Sequence, residues 1–218
     1  MAVKFGTPRA DTLIGTFGTD YISGGAGNDF IRGYDIPPGQ IDVRASFSDS
    51  ADFLFGGNGN DSIKAGGGDD FLCGGAGRDT LDGGLGVDYL KGAAGRDVFF
   101  FDLLYASPGA PSPDTGVGEG KRDVILDFRQ GTDKIDLRGW ENDYGGALGA
   151  NFVGKDELTV DEQLQVGFHY EGGNTIIDLG RIYFTPMPGE EIEYRGPAGQ
   201  IEIVGHVNLT ENDFIFSS

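Results

Sequence analysis

Residues 74–100 read GGAGRDTLD, GGLGVDYLK, GAAGRDVFF: three stretches of nine with Gly in the first and fourth places, Asp in the sixth and a large apolar residue in the eighth. Carried outward, the frame opens units at 6, 15, 24, 33, 56, 65, 74, 83 and 92. The third unit is GGAGNDFIR, the fifth GGNGNDSIK and the sixth AGGGDDFLC. The third and fifth start 32 residues apart, which is two units plus a 14-residue insertion, so the period survives if unit four has one long turn. The sixth place is then always Asp: Asp11, Asp20, Asp29, Asp52, Asp61, Asp70, Asp79, Asp88 and Asp97. The eighth is always large and apolar: Leu13, Ile22, Ile31, Leu54, Ile63, Leu72, Leu81, Leu90 and Phe99.

Each unit divides into six turn residues and three strand residues, and the middle residue of such a strand points opposite to its neighbours. The eighth place therefore faces inward. One short strand cannot bury its apolar residue alone, but stacked strands form a continuous inner ladder, two units to a coil. The turns call for glycine because a positive φ and exposed carbonyls are obstructed by a Cβ atom. Carbonyls and one carboxylate per turn are hard oxygen ligands, suited to Ca²⁺ and less to Mg²⁺, which holds a tight octahedron and keeps its waters.

Because alternate units stack, the Asp residues fall in two rows: Asp11, Asp29, Asp61, Asp79 and Asp97 in the odd row, Asp20, Asp52, Asp70 and Asp88 in the even row. Pairing neighbours gives at most about seven ions between turns. A lone Asp in a turn is usually just a turn-former, but strict periodicity favours the metal reading here. The composition agrees. The 218 residues include 40 Gly, and 35 acidic against 16 basic side chains leave a formal charge of -19. Seven divalent ions would bring that to about -5. Such a balance argues against a nucleic-acid partner.

The single Cys73 excludes an internal disulfide framework and multi-cysteine metal sites. The opening MAVKFGTPRADTLIG has no apolar core and no small-residue cleavage site, and no stretch reaches the ~18 apolar residues of a membrane span. No transmembrane segment is expected.

The pattern GGxGxDxUx, with U large and apolar, resembles the nonapeptide of the repeats-in-toxin (RTX, hemolysin-type) family over roughly residues 6–100. The resemblance implies an all-β fold, a right-handed parallel β-roll over residues 1–100 followed by a C-terminal β cap over 101–218. It also implies calcium between stacked turns, held by the Asp carboxylates with carbonyls of places one and three of one turn and two and four of the next. Carried over, the ligands besides the nine Asp are Gly24, Gly25, Ala26 and Gly27; Gly56, Gly57, Asn58 and Gly59; Ala65, Gly66, Gly67 and Gly68; Gly74, Gly75, Ala76 and Gly77; Gly83, Gly84, Leu85 and Gly86; and Gly92, Ala93, Ala94 and Gly95.

The first units depart from the pattern. Unit one has Pro8 and Arg9 in its turn, unit two has Thr16 in the second place, and unit four has Ser50 in the fourth. The sites are expected to be strongest from about residue 56 to 97. The insertion, about residues 34–47, is expected to loop out as a tolerated excursion, with a binding loop as the alternative.

After Phe101 the period stops, and the Pro/Gly-rich stretch Ser107–Gly120 reads as a long loop. The segment RDVILDFRQGTDKIDLRGW, residues 122–140, is similar to the capping segments of serralysin-type C-terminal domains and mannuronan epimerase repeat modules. Its Asp127, Asp133 and Asp136 read first as turn and surface residues, with a further ion site as the alternative. From Leu164 on, QVGFHYEG, NTIIDLGRIYF, EIEYRG, QIEIVG and ENDFIF read as strands between Gly turns. A cap is required to cover the open end of the ladder, and Phe99, Phe100, Phe101, Phe128 and Trp140 are the residues expected to do it. The tail, residues 209–218, resembles the acidic-then-apolar ends that type I secretion exporters recognise; it also reads simply as the last strand of the cap.

No enzyme is expected. His169 and His206 lie in no hydrolase motif, Glu190, Glu191 and Glu193 have no recognisable partner, and the abundant GxG strings follow from the repeat. Dense like charge and glycine make the chain costly to order without metal. Extracellular modules bind at ~10⁻⁴ to 10⁻³ M; at tenfold excess each ion contributes about 1.4 kcal/mol, and seven on the order of 10 kcal/mol. The expected protein is secreted, from a Gram-negative bacterium, exported unfolded and locked by extracellular calcium as a scaffold, adhesin or matrix component. Met1 followed within five residues by the repeat favours this stand-alone form. The alternative is a non-catalytic module of a secreted enzyme of epimerase or serralysin type. Extracellular polysaccharide is a candidate partner, although Arg32, Lys64, Arg78 and Lys91 offer only a thin basic set.

Overall fold

The computed structural model describes residues 1–35, 49–101, 103–107, 110–113, 118–138, 151–155, 165–180 and 199–216. Their architecture is two large sheets, whose strands run parallel and alternate along the chain through the roll, and a two-stranded hairpin. The first sheet runs β1 (Val3–Phe5), β3 (Tyr21–Ala26), β5 (Phe53–Asn58), β7 (Phe71–Gly77), β9 (Tyr89–Gly95), β13 (Asp123–Ile125), β18 (Gly199–Ile203), β17 (Asn174–Gly180), β16 (Gln165–Glu171) and β15 (Asn151–Gly154). The second runs β2 (Thr12–Ile14), β4 (Phe30–Arg32), β6 (Ser62–Gly67), β8 (Thr80–Leu85), β10 (Val98–Phe100), β14 (Lys134–Asp136) and β19 (Phe214–Ile215). This is the β-roll that the nine-residue period demands.

Register follows the eighth place. Ile22 stands beside Leu54, Leu54 beside Leu72, Leu72 beside Leu90 in one sheet, and Leu13, Ile31, Ile63, Leu81 and Phe99 in the other. From Ile22 on, these ladder residues have no solvent exposure, so each contributes on the order of 1.5–3 kcal/mol of apolar burial. The Ile22–Leu54 and Ile31–Ile63 pairs keep frame across the insertion, as a looped-out fourth turn requires. Tyr34, counted with that insertion in the sequence, is buried against the neighbouring turn, its ring filling the space a Cβ on Gly66 would take; residues 36–48 lie outside the described residues.

Three features differ from the nine-unit reading. An extra rung, β1, precedes unit one, and its Lys4 occupies the ladder place beside Ile22 while its ammonium donates to Ile14 O. Pairing continues past the three-residue strands into the turns, Gly25 beside Gly57, Gly57 beside Gly75, Gly75 beside Ala93, so the turns stack as part of the ladder. The ladder also does not end at Phe99: Ile125 pairs with Leu90 and Ile135 with Phe99, so residues 118–136 supply two further rungs.

The cap grows directly from these rungs. β18 pairs parallel with β13, the antiparallel β16–β17 hairpin adds to it, and β19 pairs with β14. Ile201, Ile203, Val166, Phe168, Ile177, Leu179 and Phe214 join the same buried cluster as the ladder. Phe99 is accordingly a rung and not a lid, Phe128 packs on it at 6.2 Å between ring centroids, and Phe100 lies on the half-buried outer face. Trp140 lies outside the described residues. Part of the stretch expected as a loop is a separate hairpin, β11 (Leu103–Ser107) with β12 (Ala110–Pro113); Pro111 and Pro113 lack a donor, which suits a two-stranded unit with free edges.

Candidate metal sites along the two turn rows

Within a turn, the glycines serve two needs. Positive φ falls on the second and fourth places, as at Gly75 (110°) and Gly77 (143°), whereas the first place needs space: a Cβ on Gly24 would stand 2.3 Å from Asp29 Oδ2 and 2.6 Å from Gly56 O. The same close approaches locate the carbonyls. A Cβ on Gly57 would meet Gly25 O at 2.1 Å, and one on Gly59 would meet Gly27 O at 1.7 Å. Second- and fourth-place carbonyls of one turn therefore face the next, and the first-place carbonyl of that next turn faces back. Third-place carbonyls are already engaged, Asn58 O accepting from Gly27 N–H at 2.7 Å and Ala76 O from Gly59 N–H at 2.8 Å.

The carboxylates use their two oxygens differently. In the odd row the N–H of Asp11 donates to Asp29 Oδ1 (2.8 Å), Asp29 to Asp61 (2.7 Å), Asp61 to Asp79 (2.8 Å), Asp79 to Asp97 (3.1 Å) and Asp97 to Asp133 (3.1 Å). In the even row Ala2 donates to Asp20, Asp20 to Asp52 (2.8 Å), Asp52 to Asp70 (2.7 Å), Asp70 to Asp88 (2.8 Å) and Asp88 to Asp123 (2.8 Å). One oxygen of each carboxylate thus pins the backbone of the turn before it.

The other oxygen is the informative one. Oδ2 of Asp29, Asp52, Asp61, Asp70, Asp79 and Asp88 is buried with no hydrogen-bond partner. Such orphaned acceptors are costly and rare in a folded protein. Desolvation by that burial, reinforced by the neighbouring acids, pushes Asp52 and Asp79 up to about 7 and Asp70 up to about 9, and raises Asp61 and Asp88 in the same direction. At the start of each row the oxygen is taken: Asp11 Oδ2 accepts from Thr7 N–H and Oγ1, and Asp20 Oδ2 from the same groups of Thr16.

Among the described residues no three His, Cys, Asp or Glu side chains gather as a metal cluster. A cation between turns would instead meet one partnerless carboxylate oxygen and several inward carbonyls, a hard oxygen set that fits Ca²⁺. The space that the missing Cβ atoms leave is part of that fit.

Five participants lie outside the ligand set expected from the sequence. Asp49, the third place of unit four, adds a buried partnerless Oδ2, and burial raises it to about 6. Asp123 and Asp133 continue the rows. Asn60 Oδ1 accepts from Arg78 N–H, and Asn28 Oδ1 from Asn60 N–H, both at 2.8 Å, so the fifth place carries its own side-chain ladder. Counting on from Gly118 would have found Asp123 and Ile125, since GEGKRDVIL keeps the first, sixth and eighth places. Of the cap acids, Asp127 accepts the N–H groups of Gly92 and Ala93 at 2.9 Å each, and Asp136 pairs with Arg138 Nε at 2.9 Å. His169 sits on β16 with Nδ1 2.7 Å from Asp178 Oδ2, and His206 stacks on Tyr170. Glu190, Glu191 and Glu193 lie outside the described residues.

Comparison with known proteins places this geometry. Residues 5–35, 48–81 and 74–99 match the RTX calcium-binding nonapeptide repeat in four copies. Among solved structures, the chain is similar to the AlgE6R3 subunit of the Azotobacter vinelandii mannuronan C5-epimerase, at 22% identity and a TM-score of 0.28 over 96% of this chain and 80% of that one. It is also similar to the extracellular lipase LipA from Serratia marcescens, at 13% identity and a TM-score of 0.30 over 99% of this chain and 40% of that one. No curated protein matches it. Both overlaps are loose, and the assignment stands on the repeats: residues 5–35 and 48–99 carry RTX calcium-binding nonapeptide repeats, and this array is a calcium-binding β-roll.

Proposed function

We propose that this chain is a secreted, non-catalytic module whose roll takes its final fold on extracellular calcium and then acts as a scaffold, adhesin or matrix component. The supporting observation is the set of six buried, partnerless Oδ2 atoms at Asp29, Asp52, Asp61, Asp70, Asp79 and Asp88. In this reading each of these oxygens, with second- and fourth-place carbonyls of its own turn and the first-place carbonyl of the next, holds an ion between turns. Bound calcium supplies the positive charge that the acid rows lack. Asp11 and Asp20, engaged by Thr7 and Thr16, close the beginning of the array instead. The division proposed is a nonapeptide roll over residues 1–100 and a β cap over 101–218 whose strands Asp123–Ile125 and Lys134–Asp136 continue the ladder of the roll.

Below the calcium level that fills these sites, stacked carboxylates oppose the fold, so a chain made where calcium is scarce stays export-competent for a type I exporter. Far-UV circular dichroism in chelator and in millimolar calcium, with ions counted by native mass spectrometry, tests the proposal. The expected outcome is a large gain of β signal on calcium and uptake of about six ions. Equal β content in both buffers would sink it. Alginate binding measured with and without calcium separates a polysaccharide binder from a plain scaffold.

A further inference from the structure

The odd row ends differently from every interior joint. Arg129, in the loop between β13 and β14, lays its guanidinium between the last turn of the array and the rung above it. Nη2 donates to Gly95 O at 2.7 Å, to Asp97 Oδ2 at 3.2 Å and to Asp133 Oδ1 at 3.0 Å. Nε reaches Asp133 Oδ2 at 3.3 Å, and the backbone N–H of Arg129 donates to the same oxygen at 2.8 Å. Asp97 and Asp133 are buried.

These partners are a fourth-place carbonyl, the Oδ2 of the sixth-place Asp of the same turn, and the sixth-place carboxylate of the next rung. Interior turns of the row present the same kinds of group to each other, there with Oδ2 partnerless. The even row makes the contrast internal. Its last member, Asp88, keeps a partnerless Oδ2, and Arg122, the residue before Asp123, pairs with Glu171 (2.7 Å) and Glu202 (3.5 Å).

The structure assigns Arg129 as a tethered cation that fills the last inter-turn position of the odd row in place of a calcium ion, so the joint between roll and cap forms without metal. The assignment rests on the proposed calcium sites and adds which position is not one of them. A guanidinium cannot be titrated away or chelated, and its fork matches oxygens that converge from two turns. Interior joints answer to external calcium; this one answers only to the covalent chain. The cap is thereby a permanent seat on which the first calcium-filled turn can assemble.

Native mass spectrometry of the full chain in millimolar calcium is the test. Arg129→Gln vacates the position and should take up one ion more than wild type, while Arg129→Lys keeps the charge and the wild-type count. An unchanged count in a folded, calcium-loaded R129Q would overturn the assignment, and a wild type that takes up no calcium would bring down the proposed function with it. Hydrogen exchange of wild type in chelator gives a reading that needs no variant. The Asp97 amide, held by Asp133, should exchange at least about tenfold more slowly than the Asp61 amide. Equal rates would refute a metal-independent joint.

Discussion

The roll and the cap handle acidic side chains in opposite ways. From Asp29 to Asp88 the carboxylates stand in rows, buried, each with one oxygen on the neighbouring backbone and one without a partner. In the cap, Asp133 has Arg129, Asp136 has Arg138, and Glu171 and Glu202 share the buried Arg122. The cap carries its counter-charges in its own sequence, and the roll leaves them to the solution. Under the proposed function, stability is intrinsic in one region and conditional in the other, although one apolar ladder runs through both.

Neutralising one acid in each region should break this symmetry most visibly. In calcium, Asp79→Asn removes a proposed charged ligand from the middle of the odd row and is expected to lower stability by at least the share of one ion, about 1.4 kcal/mol at tenfold excess over its Kd. In chelator the same change removes a buried unpaired charge, so its sign should reverse. Asp136→Asn, which deprives Arg138 of its partner, should weaken the protein by ~0.2–1 kcal/mol in both buffers. Calcium titrations followed by circular dichroism for the two variants check both signs; a D79N that is destabilised equally with and without calcium would contradict the comparison.

Proton uptake sharpens it next. The folded roll holds Asp52, Asp70 and Asp79 well above the ordinary carboxylate value near 3.8, so without metal the folded state binds more protons than the unfolded one at neutral pH. Stability from these groups is fully present below about pH 4 and is lost as pH rises through roughly 7 to 9. Calcium-free protein should gain β signal on acidification, and calcium binding at pH 7 should release protons, measurable by titration calorimetry in buffers of different ionisation heat. The smallest effect is conformational. Ala93 holds φ at 65° in a place that is glycine in most units, with its N–H on Asp127. Ala93→Gly should stabilise by ~0.5–1 kcal/mol, read as a small rise in the unfolding midpoint.

Much of this was legible in the sequence because the roll is local: each rung touches rungs 18 residues away, and a period of nine states that contact directly. The in-frame jump from Ile31 to Ile63 was readable for the same reason, since the insertion changes only one turn. Asp123, and the place of Asp133 at the end of the odd row, escaped because the excursion after Phe101 interrupts the count and their turns lack paired glycines. Arg129 escaped for a different reason: one arginine in a loop has no periodicity, and its role exists only where two turns converge on it. The cap strands β16, β17 and β18 were visible as alternating runs. Their order was not, because pairing Ile201 with Asp123 and Phe214 with Ile135 joins residues about 80 apart with no repeat to announce it.

The amide-to-carboxylate bonds along the two rows all run one way, each donor earlier in the chain and each acceptor later. The roll therefore has polarity, like a filament with unequal ends. Trimming rungs from the amino-terminal side removes donors and leaves the remaining acceptors in their places. Losing rungs from the other side withdraws the acceptor that fixes the next turn, so damage there spreads backward along the stack.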